Sequence, residues 1–349
     1  MTDISQQIAD IEETLRKTPH HKATNHFIGL MRAKIARLKD KQLEEQAPQS
    51  RGSGGRSSFA VRKHGDATVV LIGPPSCGKS TLLNLLTNAE SKVAAYSFTT
   101  VSVIPGMFRY NNAYIQILDI PGLIEGAKKG KGKGKEVLSV ARNADLLLIM
   151  TDIDRVDLLK KMLIELEGAG IRINQSPPEV VIDKKISGGI EIHSNIKQEI
   201  DSRTIKEIAR EFGIKNGDIT IKEKLSYDRL FDAFSTNRVY IPALFAVNKI
   251  DLGQSKISEY IGISAEKNIG INNLVREIWQ ALKLVTVNLA DGEIVMKEGN
   301  NLEDVALKIS PDFAAKIKSA KIWGPGSRFP GQEVSLSTKV REGMKVKFV

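Results

Sequence analysis

Val69-Val-Leu-Ile72, followed by Gly73-Pro74-Pro75-Ser76-Cys77-Gly78-Lys79-Ser80-Thr81, is the stretch from which the rest of the chain can be read. Four consecutive apolar residues fit a strand covered on both faces. The residues after them match the phosphate-binding pattern G-x-x-x-x-G-K-[ST], and Thr81–Leu86 continues as helix, the context that pattern requires. A glycine-rich turn lets successive backbone N–H groups point at a β-phosphate, and the helix N-terminus adds partial positive charge. Lys79 is expected on the β- and γ-phosphates and the Ser80 hydroxyl on Mg²⁺, so residues 73–81 are candidate nucleotide ligands.

Working outward, the same strand signature recurs at Leu146–Met150, at Ala243–Val247 and through Tyr114, Ile115, Ile117 and Leu118. Helical segments such as Leu274–Leu284 lie between. Strands alternating with helices predict an α/β doubly wound parallel sheet. Asp119-Ile-Pro-Gly122 closes the strand after the phosphate loop: Asp119 is placed to hold Mg²⁺ through water, and the Gly122 N–H to meet the γ-phosphate. Asn248-Lys249-Ile-Asp251 follows another strand. A carboxylate accepts two N–H bonds from guanine N1 and N2, a donor pair adenine lacks, so Asp251 selects the base and Lys249 lies under its plane. Ser264-Ala265-Glu266 comes after a short strand, Tyr260–Ile263, and the Ala265 N–H can donate to guanine O6. Each tetrapeptide alone is a weak signal. In this order, each behind a predicted strand, the set specifies GTP rather than ATP and argues against an ATP-using phosphotransferase.

Phe98-Thr99-Thr100 lies in a loop before Val101–Ile104. One Thr should ligate Mg²⁺ and order the loop only with GTP; Thr100 is favoured over Thr99. Lys79, Thr100 and Gly122 form the expected catalytic set. Position 123 is Leu, where many GTPases place a water-orienting Gln. Leu cannot orient water, so hydrolysis is slow or another group supplies that function. The loop from Gly122 to Lys135 has five Gly and five Lys, which suits a flexible segment whose lysines reach phosphates of nucleotide or RNA. Cys77, inside the phosphate loop, reads as packing rather than nucleophile. His20, His21 and His26 cluster at a turn without Cys or carboxylate support for a metal. Trp279 and Trp323 read as core.

Composition closes off several classes. The 349 residues carry one Cys, so no disulfide framework exists. No apolar run reaches the roughly 18 residues of a membrane span, and the N-terminus reads as no signal peptide. A cytoplasmic protein without membrane contact is expected, as a monomer. Lys and Arg number 51 against 41 Asp and Glu, a net +10. Residues 124–142 hold six basic against two acidic side chains, residues 1–66 twelve against eight, and residues 152–240 fifteen against sixteen. Basic excess beside a candidate active-site loop permits a nucleic-acid or ribosome partner.

The expected organisation is a helical N-terminal region and linker over 1–60, a GTPase domain over 61–285, an α+β insertion over 155–238 and a β-rich domain over 286–349. Residues 2–46 read as a helical hairpin broken at Thr18-Pro19, and 48–58 as a Gly/Ser/Arg-rich linker. Within the insertion, Val180–Ile182 and Ile190–Ile192 around Ser187-Gly188-Gly189 read as a β-hairpin, between helices Val156–Glu167 and Ile196–Phe212.

With these motifs together, the sequence resembles the developmentally regulated GTP-binding proteins of the Obg group, over nearly its whole length. Lys22-Ala-Thr-Asn-His26 with Gly29-Leu-Met-Arg-Ala-Lys34 looks like that family's N-terminal helical segment. Asp119-Ile-Pro-Gly-Leu-Ile-Glu-Gly-Ala127 matches its nucleotide motif, and Ala320-Lys-Ile-Trp-Gly324 with Phe329-Pro-Gly331 its TGS domain. The resemblance implies a P-loop GTPase fold with N-terminal helices, an inserted domain and a C-terminal β-grasp module. It implies a Mg²⁺-dependent GTPase cycling between GTP and GDP on ribosomes or RNA, with a stabilising partner protein among eukaryotic members. A hydrophobic residue in place of Gln is a family trait, carried here by Leu123. K⁺ is a candidate activator, but relatives that bind it place Asn where this chain has Ser76. The alternative is an RNA- or ribosome-binding assembly module whose nucleotide controls shape with little turnover.

Overall fold

The computed structural model of the protein describes residues 3–19, 21, 24–46, 65–87, 103–120, 138–253 and 259–349. Helices α1 (Ile4–Lys17) and α2 (Asn25–Gln46) come first, and α3 (Lys79–Thr87) follows the phosphate loop. The first strands are β1 (Ala67–Ile72), β2 (Ile104–Tyr110), β3 (Ala113–Asp119) and β4 (Leu146–Asp152). The next are β5 (Ile171–Ile173), β6 (Val180–Lys184), β7 (Ile190–Ser194), β8 (Gly217–Ile221) and β9 (Val239–Ile241). The chain closes with β10 (Ala243–Asn248), β11 (Ile261–Gly262), β12 (Leu284–Leu289), β13 (Gly292–Lys297), β14 (Ser319–Trp323), β15 (Gln332–Ser335) and β16 (Lys345–Phe348). Two compact units result: residues 59–165 with 241–349, and residues 1–58 with 166–240.

The larger unit is built on a six-stranded sheet in the order β11-β10-β4-β1-β3-β2, parallel except for the β2–β3 pair. Strands β1 and β4 are buried at every position, which is why they read as unbroken apolar runs. Leu71, Leu148 and Ile117 pack with Leu82 and Leu83 of α3 and with Leu274 and Ile278 of the helix Ile271–Leu282. Parallel strands aim their C-terminal ends at one edge, so the loops after β1, β3, β4 and β10 open on the same side. A second sheet in the same unit has the order β13-β12-β16-β14-β15. Its helix, Leu302–Ile309, starts at a capping box: Asp304 N–H donates to the Asn301 side chain (2.9 Å) and Asn301 N–H to Asp304 (2.8 Å). The helix buries Leu302 and Val305 against Val287, Ile322 and Val346. Lys297 reaches Asp145 (2.6 Å) and Lys308 reaches Asp66 (2.5 Å), tying this sheet to the first.

In the smaller unit the strands β6, β8 and β7 form one sheet in that order. The hairpin expected of Val180–Ile182 and Ile190–Ile192 is therefore absent. Strand β8 inserts between them, antiparallel to β6 and parallel to β7. The physical reason is burial. Ile219 and Ile221 of β8 are 0% and 1% exposed and take the central place, whereas β6 keeps no fully buried residue. Gly217 lets β8 pass close to β6: a Cβ there would stand 2.5 Å from the Asp183 carbonyl, at φ +152°. The helix after β7 starts later than periodicity suggested, at Ser202, because Asp201 caps it by accepting from Thr204 N–H (2.9 Å).

The N-terminal helices pack in this unit, a partnership the sequence reading did not anticipate. Ala33 of α2 is fully buried among Ile205, Ile208, Phe231 and Phe234. The Thr204 hydroxyl donates to Asp201 (2.6 Å), and His26 Nδ1 stands 2.7 Å from the same hydroxyl oxygen. The other ring nitrogen stands 3.0 Å from Glu207, so His26 is engaged in packing rather than in a histidine metal cluster. A chain of charges runs here, its two aspartates buried and its two arginines half-buried. Arg172 grips Asp232 with two nitrogens (2.6 and 2.7 Å), Arg238 donates to Asp232 (2.7 Å), and Arg238 reaches Asp40 of α2 (2.5 Å).

Removing one partner from such a chain strands the others in a low dielectric, at a cost of about 3–5 kcal/mol. Asp232 serves two guanidinium groups, and Asp40 serves Arg238 with the Ser235 hydroxyl. Asp232→Ala is expected to lower the urea midpoint of the protein clearly more than Asp40→Ala, read by circular dichroism. Equal midpoints would remove the central place given to Asp232.

Candidate functional site

The residues singled out by sequence converge at the C-terminal edge of the six-stranded sheet. β1 ends at Ile72 and the chain turns through Gly73–Gly78 into α3. Backbone shape demands the glycines here. A Cβ on Gly73 would lie 2.4 Å from the Met150 carbonyl, and one on Gly78, at φ +96°, 2.1 Å from the Asn248 amide nitrogen. Ser76 takes the left-handed conformation at φ +59°. Pro74 is buried, Pro75 and Ser76 are exposed, and Ser80 and Thr81 face solvent at the start of α3. Lys79 is only 7% exposed; its ammonium donates to the Gly73 (3.1 Å) and Pro74 (3.0 Å) carbonyls. Cys77 is fully buried and burial pushes its thiol pKa up, which fits packing and not nucleophilic chemistry.

Across from the loop, the Ser80 hydroxyl donates to Asp119 Oδ2 (2.6 Å). The other oxygen, Asp119 Oδ1, is buried without a protein partner. A buried carboxylate oxygen left open beside a hydroxyl is a donor set suited to a hard cation with retained waters. Mg²⁺ fits these two residues on that ground.

Asn248, Lys249 and Asp251 follow β10. Asn248 Nδ2 donates to the Cys77 carbonyl (2.8 Å) and its Oδ1 accepts from Ala265 N–H (2.9 Å). The Ala265 N–H expected on a guanine O6 is thus engaged by Asn248 in this structure. Lys249, in the left-handed region at φ +64°, extends across the phosphate loop and donates to the Ser76 carbonyl (2.9 Å). Asp251 stands free of the loop. A hydrogen bond from Ser264, helped by the Lys267 ammonium at 3.2 Å, holds its carboxyl below the usual carboxylate range. A carboxylate kept ionised at the site's edge can accept a pair of N–H donors. Phe98, Thr99, Thr100, Gly122, Leu123 and the lysines of 128–135 lie outside the described residues.

Comparison with known proteins gives the arrangement its family. Residues 68–184 match the family model of a 50S ribosome-binding GTPase, residues 187–284 the C-terminal region of that domain, and residues 285–349 the TGS domain. A GTP-binding protein of Methanocaldococcus jannaschii is 42% identical over 97% of this chain and 91% of its own. Developmentally-regulated G-protein 3 of Arabidopsis thaliana is 38% identical over 100% of this chain and 99% of its own. Human developmentally-regulated GTP-binding protein 2 is 35% identical over 96% of each. The chain belongs to the developmentally regulated GTP-binding proteins. It is a GTP-binding protein of the GTPase class, with a P-loop GTPase domain and a C-terminal TGS domain. No described helix is long and apolar enough to cross a membrane.

Two side chains of this GTPase site escaped the sequence reading. Asp152 ends β4, 4% exposed, and Arg155 clamps it with Nε (3.0 Å) and Nη2 (2.5 Å). This guanidinium holds the Asp152 carboxyl below its usual range. Arg155 also donates to the Pro75 carbonyl (3.0 Å), and Asp152 stands 3.6 Å from Lys249. Phosphate loop, Lys249, Asp152 and Arg155 therefore close a ring. Register decides the placement: β10 runs parallel to β4 with Asn248 beside Asp152, which sets the residue ending β4 against the loop.

A charge-assisted hydrogen bond contributes about 1.5–3 kcal/mol. Arg155→Met is therefore expected to speed GDP release about tenfold, with Arg155→Lys intermediate because an ammonium cannot reproduce the two-nitrogen clamp, measured by displacement of a fluorescent GDP analogue. Unchanged release in Arg155→Met would reduce the ring to packing.

Proposed function

We propose that this chain binds GTP across Gly73–Thr81, Asn248–Asp251 and Ser264-Ala265, and hydrolyses it to GDP and phosphate as a switch on ribosomes or RNA. The observation that carries the reading is Asp119: one oxygen meets Ser80, the other is buried with no protein partner. Ser80 and, through water, Asp119 would hold Mg²⁺, which would neutralise charge developing on the phosphates.

The chain's own residues do the rest. Backbone N–H groups of the phosphate loop and the N-terminus of α3 cradle the β-phosphate. Lys79 leaves the loop carbonyls it now satisfies and offers its charge to the β- and γ-phosphates. Asp251 accepts from guanine N1 and N2, Lys249 supports the base plane, and Asn248 keeps Ala265 in place. The Ala265 N–H serves O6 as a shared donor. Thr100 or Thr99 and the Gly122 N–H sense the γ-phosphate.

Leu123 offers no amide to the attacking water, so activation comes from outside the nucleotide site. Two observations favour a ribosomal or RNA activator. The matched family model is described as a 50S ribosome-binding GTPase. Basic charge is concentrated beside position 123 and again over 316–349, where eight Lys and Arg stand against two Glu. Lys321 and Lys347 lie directly opposite each other on exposed strand positions of β14 and β16. Cross-strand like charges repel, and a polyanion relieves them. Leu123 also feeds the second reading, an assembly module whose nucleotide controls shape with little turnover.

One measurement tests the nucleotide site and a second separates the two readings. Asp251→Asn faces guanine N1–H with a donor and is expected to trade GTP for xanthine nucleotide, scored by competition titration; retained guanine preference would reject Asp251 as selector. Ribosomes are expected to raise multiple-turnover GTP hydrolysis, with a gain that falls as salt rises. Turnover that stays slow with ribosomes at low salt would favour the assembly module.

A further inference from the structure

One face of the β6-β8-β7 sheet is exposed and carries chemistry that the GTPase cycle does not use. Register places Asp183, Asp218 and Glu191 directly opposite one another across the three strands, and His193 two residues beyond Glu191 on the same face. The opposite face carries Ile182, Ile219 and Ile192 and is the packed one. Like charges directly opposite destabilise a sheet. A solvated surface row would more simply alternate its signs. Here three carboxylates share one lysine, Lys185, whose ammonium stands 2.7 Å from each oxygen of Asp218. Asp218 first, then Glu191 and Asp183, raise its pKa.

The imidazole changes what this row can do. One ligand atom each from Glu191, His193 and Asp218 lie within 4.8 Å of one another. Bonds to Zn²⁺ from imidazole and carboxylate are about 2.0–2.2 Å, so tetrahedral ligands stand roughly 3.5 Å apart. The three atoms must close by about 1 Å, which rotation of exposed side chains allows. We propose that Glu191, His193 and Asp218 form a surface site for a first-row divalent transition metal such as Zn²⁺, which links β7 to β8 and displaces Lys185. The nitrogen ligand selects that class over Mg²⁺ and Ca²⁺, which take all-oxygen sets. Three protein ligands leave further positions to water or to a side chain of another molecule.

Removing Lys185 favours any divalent cation on these carboxylates, so loss of the His193 nitrogen is the change that distinguishes this site from adventitious binding. A lysine that competes with the metal for Asp218 weakens binding, so removing it must tighten binding. The test uses the full chain, stripped with chelator and then held in excess Mg²⁺ and GDP so that the nucleotide site is occupied. Zn²⁺ is titrated by calorimetry into wild type, His193→Ala and Lys185→Met. Loss even of a group that only supports a metal ligand costs about 10–100-fold in affinity, so His193→Ala is expected to lose at least about tenfold. Lys185→Met is expected to bind several-fold more tightly than wild type, at one Zn²⁺ per chain. No saturable site in wild type, equal affinity in His193→Ala, or no tightening in Lys185→Met would each overturn the proposal. GTP turnover is a separate readout, and its failure would leave this result untouched.

Discussion

The amide of Asn248 is the interaction on which the candidate site depends. Its nitrogen donates to the Cys77 carbonyl and its oxygen accepts from Ala265 N–H, so one planar group joins three loops. Those loops follow different strands and are far apart in sequence. Only a side chain with a donor and an acceptor at fixed separation satisfies both, and Asp, which cannot donate when ionised, cannot. The clasp also explains Gly78. With a Cβ there 2.1 Å from the amide nitrogen, the loop would have to retreat and the clasp would open. A buried side-chain amide paired at both its nitrogen and its oxygen favours one arrangement of its neighbours, because a displaced loop leaves an unsatisfied polar group.

Around that clasp the charges are arranged in pairs. Lys79 rests on carbonyls of its own loop, Ser80 on Asp119, and Lys249 on the Ser76 carbonyl. Arg155 and Asp152 join the far side of the ring. These groups thus have protein partners in the structure, with Asp119 Oδ1 the exception among the buried side-chain oxygens of the site. The same groups are chemically suited to phosphate, cation and base. A neutral carbonyl is a weaker partner for an ammonium than an oxygen carrying full charge.

Much of this was legible because it is local. A strand buried on both faces, a glycine turn and a helix start lie within the stretch Ala67–Thr87, and each has its own residue signature. The base-selecting motif sits at the end of β10 for the same reason. What was not legible is long-range. The place of β8 between β6 and β7 depends on which apolar strand wins the centre, and periodicity is blind to that contest. The packing of α2 on residues 166–240 rests on Ala33, His26 and Asp40, none of which signals a distant partner. Arg155 was missed because an Arg three residues past a strand has many ordinary roles. Only the parallel register with Asn248 places its partner Asp152 at the loop. The switch residues Thr99, Thr100 and Gly122 were named from motif and order, and they lie outside the described residues.

The two units manage buried charge differently, and the difference follows from what each must do. In the smaller unit, Asp232 and Asp40 are buried, Arg172 and Arg238 are half-buried, and the four saturate one another. Such a chain adds little net stability over well-packed apolar groups, but it penalises any arrangement that separates α2 from residues 166–240. In the larger unit, buried Lys79 is held by two neutral carbonyls and Asp119 by a hydroxyl, while half-buried Lys249 rests on the Ser76 carbonyl with Asp152 at 3.6 Å. A site made like the smaller unit's chain would be stable and inert, because a phosphate would have to displace a carboxylate from each cation. Holding Lys79 with neutral carbonyls keeps its charge uncancelled. The phosphate loop thereby satisfies its lysine without neutralising it, which is the condition a site for a highly charged anion must meet.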